Sequence, residues 1–464
     1  MPPSTSRSNC IRRWVDSDSD LLPVHLSHPE RYPFLLESVA HGTNDARYDL
    51  LFAFPQGSLV LWPNGKLRSD TFGIRGHDFL RNLDLWWHEV RTQRIIDQDL
   101  LFCGGWFVYL GYELAAQIEP VLNLPHPVDG IPIAAAYRIP AVVMRDHRQH
   151  RMLIAVEPDT PELLPVIEAD LQRAPPLESW RGGVLRGAIA EEPEQLFLSR
   201  LAAIQHYIRE GDVFQVNLSR RWEALLKPGL SHATLYDRLR QVNPAPFSGL
   251  ADFGQAAILS SSPERLASVR GGLVQTRPIA GTHPRSQNRA ADRSLSQALL
   301  RSPKERSEHI MLIDLERNDL GRVCQIGSVS VPVLMALESY PNVHHIVSTV
   351  CGTLRQGVTP GDVIRAVFPG GTITGCPKVR CMEIIASLEA FPRGPYTGSM
   401  GYLGRDGAMD LNILIRTLVR NGDQVWLRAG AGIVADSVPE RELKETRHKA
   451  QAALSALTEN PKWC

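Results

Sequence analysis

The sequence has no excess charge of either sign, no long apolar run and no paired-cysteine motif, and each absence removes a class of protein. Lysine plus arginine equals aspartate plus glutamate at 50 each in 464 residues, so no global field draws the chain to nucleic acid or to an anionic membrane. No stretch of about 18 uncharged apolar residues is present, and the N-terminal MPPSTSRSNCIRRWVDSDSD is polar and lacks an apolar signal core. A soluble, cytoplasmic protein without nucleic-acid or membrane partners is expected. The seven cysteines, at 10, 103, 324, 351, 376, 381 and 464, are odd in number and never form C-x-x-C. Neither a disulfide framework nor a zinc cage is suggested, and the thiols read as reduced. There is no internal repeat and no long low-complexity tract.

What is present has two textures. Residues 20 to 155 alternate short apolar runs with turn signals: YDLLFAF, SLVLW, LFCGGWFVYLGYEL, IPAVVMRD and RMLIAVE. From 157 the chain turns rich in proline, glycine and acid, as a surface connection does. The expected organisation is an N-terminal domain over 1–175, a linker over 176–194 and a larger domain over 195–458. The second part opens with a helical pattern at 195 to 210 (Leu196, Leu201, Ile204, Ile208) and continues with strands interspersed among helices. Without a regular βαβ rhythm, an α+β fold of large antiparallel sheets with covering helices is expected rather than a doubly wound one.

Several clusters could carry chemistry. Ser302-Pro303-Lys304-Glu305 is a helix start with Glu305 and Glu308 three apart, and Ser437 to Glu440 reads as a second one. On the second helix Glu442 and Glu445 share a face, with Lys449 one turn further on. These are either solvated ion-pair faces or two halves of a divalent-ion site, since Mg²⁺ needs only one or two carboxylates plus substrate oxygens and water. FPGGTITGCPKVR, with Thr372, Thr374, Gly375 and Lys378 ahead of an apolar helix, is a simple loop or a carboxylate cradle. Gly430 and Gly432 in RAGAGIVADS let backbone approach a ligand or another strand. Of His344 and His345, alternating on one strand, only one can face inward.

Together FQVNLSRRW, SSSPERL, TRPIAGTHPR, SEHIMLIDLERNDLGRV, FPGGTITGCPK, RGPYTGSMGYLG, MDLNILIRTL and AGAGIVADSVPERELKET resemble the chorismate-utilising enzymes, component I of anthranilate synthase and of aminodeoxychorismate synthase. They fall in the family's order over about 210 to 450, and PFLLES at 33 to 38 extends the resemblance towards the N-terminus. The resemblance implies the anthranilate synthase component I-like fold, a sandwich of large antiparallel sheets covered by helices. It implies Mg²⁺ on Glu308 and Glu445, with Glu442 accessory, gripping the ring carboxylate of chorismate. Gly281, Thr282, Tyr396, Arg416 and the backbone of Gly430, Ala431 and Gly432 match the carboxylate-binding set, with Lys449 as a further cation; Thr374 and Gly375 belong to the neighbouring cradle. His345 matches a histidine near the departing ring hydroxyl, and Glu264 the general acid for that poor leaving group.

The resemblance also bears on the nucleophile. Water-using relatives have a lysine base where this chain has Gln215; ammonia carries its own lone pair, so Gln215 implies an aminating enzyme supplied by a glutamine amidotransferase partner, expected as a separate chain. Position 280 divides the aminating branches. The aminodeoxychorismate branch usually has a lysine nucleophile there, and Ala280 matches the anthranilate branch instead. Asn217 in FQVNLSRRW, together with GWFVYLGYELAAQIEP, DLERNDLGRV, NVHHIVS and RYDLLFAF in place of YSFIG, matches the para-aminobenzoate branch. The distributed matches outweigh the single substitution, giving an aminodeoxychorismate synthase component I without the covalent lysine, with anthranilate synthase component I as the alternative. Ser38 and Pro246-Phe247-Ser248 stand where the anthranilate branch binds tryptophan. A non-catalytic tryptophan-binding protein is a third reading, which Glu308, Glu445 and Arg416 argue against.

Overall fold

The structure, a computed structural model, describes residues 10–39, 47–92, 100–125, 130–177, 180, 182–339 and 343–458. The alternating apolar runs become strands where expected: Tyr48–Ala53, Ser58–Leu61, Gly105–Leu110, Ala141–Asp146 and Arg151–Val156. Among the described residues these and others build two large antiparallel sheets, of 12 and 11 strands, as the α+β expectation required.

Gly105–Leu110 shows why the sheets stack. All six residues are buried, and the two faces of the strand feed different cores, as the period of two dictates. Phe107 and Tyr109 join the core between the sheets with Phe34, Phe52 and Ile258. Trp106, Val108 and Leu110 pack outward against Phe79, Leu83 and Trp86 of a covering helix. Phe34 of the first sheet stacks on Phe107 of the second with ring centroids 4.0 Å apart, a contact contributing about 0.5–1.5 kcal/mol beyond its buried area.

Strands from either side of 176–194 are interleaved in both sheets. Phe34–Glu37 pairs with Phe247–Asp252 in the first, and Gly105–Leu110 pairs with Ser399–Gly404 in the second. The chain crosses between sheets at two places that matter below. Ala256–Ser262 lies in the first sheet and Arg265–Arg270 in the second; Met409–Asn412 lies in the second and Thr417–Asn421 in the first.

Three expectations need correction. Cys10 and Cys103 are joined as a disulfide, with Cα atoms 6.0 Å apart. The fold brings them together across 93 residues, a proximity that spacing could not reveal. Ser437 does not cap the last helix: Val438 precedes Pro439–Ser455 without a side-chain cap, and the Ser437 hydroxyl donates to Glu442 Oε1 at 2.8 Å instead. In Glu194–Arg209 the inward face is Phe197, Leu201 and Ile204, while Leu196 is 45% exposed.

Among the described residues no helix is long and apolar enough to cross a membrane.

Candidate active site

Glu264 occupies the first sheet crossing. Its amide donates to Ser262 Oγ at 3.2 Å and its carbonyl accepts from Ile413, on the return crossing, at 3.0 Å. Only 6% of the residue is exposed. Burial lifts its carboxyl to about 7, against the opposing pull of the Thr372 hydroxyl, the Ile279 amide and the Lys449 ammonium. An acid held near neutrality can give up a proton on demand.

The neighbouring wall comes from Ile279–Pro284 paired with Val343–Thr353. The register slips between Ala280 and Thr282, a bulge that puts Gly281 at φ +65°. A Cβ there would lie 2.7 Å from Glu305 Oε2 and 2.8 Å from Leu299 Cδ1, so glycine is required by conformation and by space. Ala280 is buried. Thr282 is opposite His345, and its side chain lies outside what the structure describes.

The two histidines part to opposite sides of the strand, but both are buried, against the expectation that only one would face inward, because Asp292 of the Arg289–Arg301 helix meets His344. His344 meets Asp292 at 3.0 Å and Ser339 at 2.8 Å. His345 turns to the carbonyl of Gly281, 3.3 Å from Nδ1; because a carbonyl only accepts, that contact assigns the proton to Nδ1 and makes Nε2 the acceptor. Burial, then the nearby Arg416 charge, lowers His345 to about 4. The imidazole is neutral at physiological pH.

The opposite wall belongs to the first sheet, where Gln215–Leu225 pairs with Gln424–Ile433 so that Asn217, Leu218 and Ser219 face Gly432, Ala431 and Gly430. Side chains crowd the two glycines: a Cβ at Gly430 would lie 2.6 Å from Asn217 Oδ1 and 2.7 Å from the Tyr396 hydroxyl, and one at Gly432 would lie 2.6 Å from Gln215 Nε2. Tyr396 also lies 3.5 Å from Asn217 Oδ1. Arg416, at φ +51°, ends the return crossing. In the cradle, the Thr374 hydroxyl donates to Gly370 O at 2.9 Å, Gly375 pairs with Val216, and the Lys378 ammonium is 2.5 Å from Asp319. Their polar groups are thus engaged within the protein.

The expected metal ligands stand on two helices, Pro303–Gly321 and Pro439–Ser455. Ser302 caps Pro303–Gly321 by accepting from the Glu305 amide. Burial, opposed by Lys304 and helped by Glu305, Glu445 and Glu442, raises Glu308 to about 7. Lys449 spans Glu445 at 2.7 Å and the carbonyl of Gly430 at 3.1 Å. Among the described residues no three acidic, histidine or cysteine side chains are grouped so as to hold a metal ion. Two or three carboxylates that feel one another's charge are the donor type a hard cation takes when substrate oxygens and water complete its shell.

Elsewhere, Ser38, Pro246, Phe247 and Ser248 do meet, lining a cavity of about 320 Å³ with Tyr48 and Met400. The Ser38 hydroxyl donates to Pro246 O at 3.1 Å. Glu305 and Thr372, singled out in the sequence but left without a role by the resemblance, lie against Gly281 and Glu264 respectively.

A protonatable acid where the sheets cross, a neutral imidazole, and cations and glutamates on the neighbouring elements are the groups that these segments supply. The family described as chorismate binding enzyme matches residues 65–455, and the chain belongs to it. Anthranilate synthase component 1 of Thermus thermophilus is 41% identical over 451 residues, 94% of each chain. Aminodeoxychorismate synthase component 1 of Bacillus subtilis is 49% identical over 264 residues, 57% of this chain and 56% of its own length. The crystal structure of anthranilate synthase component I from Streptococcus pneumoniae matches with a TM-score of 0.78 at 31% identity, covering 89% of this chain and 93% of that one. The protein is a chorismate-utilising enzyme of the anthranilate and aminodeoxychorismate synthase type.

Proposed function

We propose that the protein is an aminodeoxychorismate synthase component I, replacing the C4 hydroxyl of chorismate with ammonia from a glutamine amidotransferase partner to give 4-amino-4-deoxychorismate, the precursor of para-aminobenzoate in folate synthesis. The observation that carries amination is Gln215. Its Oε1 is buried without a hydrogen-bond partner, and its amide nitrogen lies against Gly432. A carboxamide cannot deprotonate water, but its oxygen can accept an N–H from ammonia.

Chemistry follows from the residues at hand. Arg416 and Lys449 attract the substrate carboxylates, Arg416 through its planar fork. Glu264 gives its proton to the departing hydroxyl. His345 donates its Nδ1 proton to Gly281 and remains neutral, so its Nε2 accepts a hydrogen bond without adding charge. Glu308 and Glu445, with Glu442 beside them, would hold Mg²⁺, which when bound draws charge through the ring carboxylate.

Amination at C4 is favoured by Asn217, the residue marking the para-aminobenzoate branch, because it lies between Tyr396 and Gly430. Ala280 favours the alternative, anthranilate synthase, in which ammonia attacks C2. Neither nearby lysine takes the place of the missing nucleophile: Lys378 is bound to Asp319, and Lys449 to Glu445 and Gly430. In the C4 reading ammonia therefore does the work of the lysine: the first ammonia adds at C2 as the C4 hydroxyl departs as water with the Glu264 proton, and a second adds at C4 as the first leaves C2 as ammonia. The same resemblance supports tryptophan as the occupant of the Ser38 cavity, with Phe247-Ser248 weakening feedback inhibition.

Chorismate and Mg²⁺ incubated with the purified chain, with and without ammonium, test the amination. Consumption should require ammonium; ammonium-independent conversion to isochorismate would contradict the reading.

A further inference from the structure

Against the Tyr396 ring lies a buried guanidinium that the proposed chemistry does not use. Arg393, between the helix Lys378–Leu388 and the strand Ser399–Gly404, is 3% exposed. All five of its side-chain N–H groups are engaged within the protein. Nε and Nη2 grip the Glu389 carboxylate as a fork, at 3.0 and 2.8 Å. Nη2 also donates to the carbonyl of Asn217 at 2.7 Å, and Nη1 donates to the carbonyl of Ile373 at 3.1 Å and to the Thr397 hydroxyl at 3.4 Å. The guanidinium carbon is 5.5 Å from the centre of the Tyr396 ring and 4.9 Å from that of Tyr112.

Asn217, Ile373 and Thr397 come from three separate pieces of the candidate site. Asn217 belongs to the wall opposite Gly432. Ile373 ends the short turn Gly371–Ile373 that carries Thr372, and the Thr397 hydroxyl donates to the carbonyl of Tyr396 at 2.5 Å. The arginine is itself held at both ends. Glu113, from Tyr112–Leu114 in the N-terminal half, accepts the amides of Arg393 and Gly394 at 2.8 and 3.0 Å. Glu389 accepts the Ser219 amide at 3.0 Å and Arg428 Nη2 at 2.7 Å. Although burial opposes it, the Arg393 and Arg428 charges hold the Glu389 carboxyl at about 2, so the fork keeps its ionised partner at the pH of turnover.

We propose that Arg393 is a positioning residue for the reaction: its guanidinium locks the Asn217 wall, the Thr372 turn and the Tyr396 segment to one another, and so sets the spacing of the groups that hold chorismate. Lysine cannot replace it, because one ammonium has three donors and no planar fork. This inference rests on the reading of Tyr396 and Asn217 as substrate-facing.

The test is the kinetics of Arg393→Lys, which keeps the buried charge and loses the fork. In protein that still melts cooperatively, kcat/KM for chorismate should fall about 10²-fold, the scale of a small misplacement within a site, with a raised KM as part of the loss. Arg428→Lys, which disturbs the same Glu389 carboxylate but none of the three acceptors, should stay within a few-fold of the unsubstituted enzyme. A structural role alone would lower the apparent kcat with the folded fraction and leave KM unmoved. That result, or equal losses in the two lysine variants, would overturn the inference. Should Arg393→Lys not fold, Glu389→Asp decides: it keeps the charge and draws the fork back by one methylene, so kcat/KM must fall by at least about tenfold. An unchanged value would overturn the inference. An unmoved KM in Tyr396→Phe would instead remove the substrate-facing reading itself, a separate failure.

Discussion

The amide of Ile413 donates to the carbonyl of Glu264 at 3.0 Å, pinning together the two places where the chain passes between sheets. One crossing carries the acid and the other ends at Arg416. Acid and arginine are therefore set by the sandwich itself rather than by a loose loop, which fixes their geometry before substrate arrives.

Glu264→Gln should lower kcat for chorismate by about 10²–10⁴-fold, the usual contribution of a positioned general acid, while the KM for chorismate changes little. Steady-state kinetics with ammonium as the nitrogen source measures this. A rate within a few-fold of the unsubstituted enzyme would assign the proton to another group.

The same substitution has a stability signature. The Glu264 carboxyl is raised from its ordinary 4.5 to about 7, so the folded protein holds this proton more tightly than the unfolded chain. The resulting stability is fully present below about pH 4.5 and is lost as pH rises through 7. Thermal melts from pH 5 to 8 should show Glu264→Gln gaining on the unsubstituted protein as pH rises. A constant difference would show that burial does not raise this carboxyl.

Gly281→Ala should cost at least about 1–2 kcal/mol, since a side chain is forced into a left-handed conformation and its Cβ meets Glu305 and Leu299. Urea denaturation reports the loss, and an unchanged midpoint would refute the bulge. Activity should fall with it, because Gly281 also holds His345.

Glu308→Gln and Glu445→Gln should each abolish Mg²⁺-dependent turnover. A binding readout separates this from catalysis: in the presence of a non-reacting chorismate analogue, Mg²⁺ should raise the melting temperature of the unsubstituted protein and leave both variants unmoved. Retained Mg²⁺ stabilisation in both would exclude these carboxylates as ligands.

Much of the scaffold was legible in the sequence, because strands buried on one or two faces write their period directly into runs such as YDLLFAF and RMLIAVE. Phe79–Val90 was not, since it sits within a strand-rich stretch and its covering role depends on Trp106 and Val108 of a distant strand. The site was legible mainly by resemblance. Glu264 and Arg416 look like ordinary loop residues until the sheet crossings are seen. DLERNDLG entered only as a motif of the resemblance, and nothing in it signalled that Glu316 and Asp319 are both buried. Cys10 and Cys103 carried no signal of their pairing.

The central claim, amination of chorismate at C4, is tested most directly by identifying the product formed from chorismate, Mg²⁺ and ¹⁵N-ammonium. The account predicts labelled 4-amino-4-deoxychorismate, which an added lyase converts to para-aminobenzoate and pyruvate. Labelled anthranilate with pyruvate, formed without the lyase, would contradict it and mark Ala280 as the residue that decides the branch.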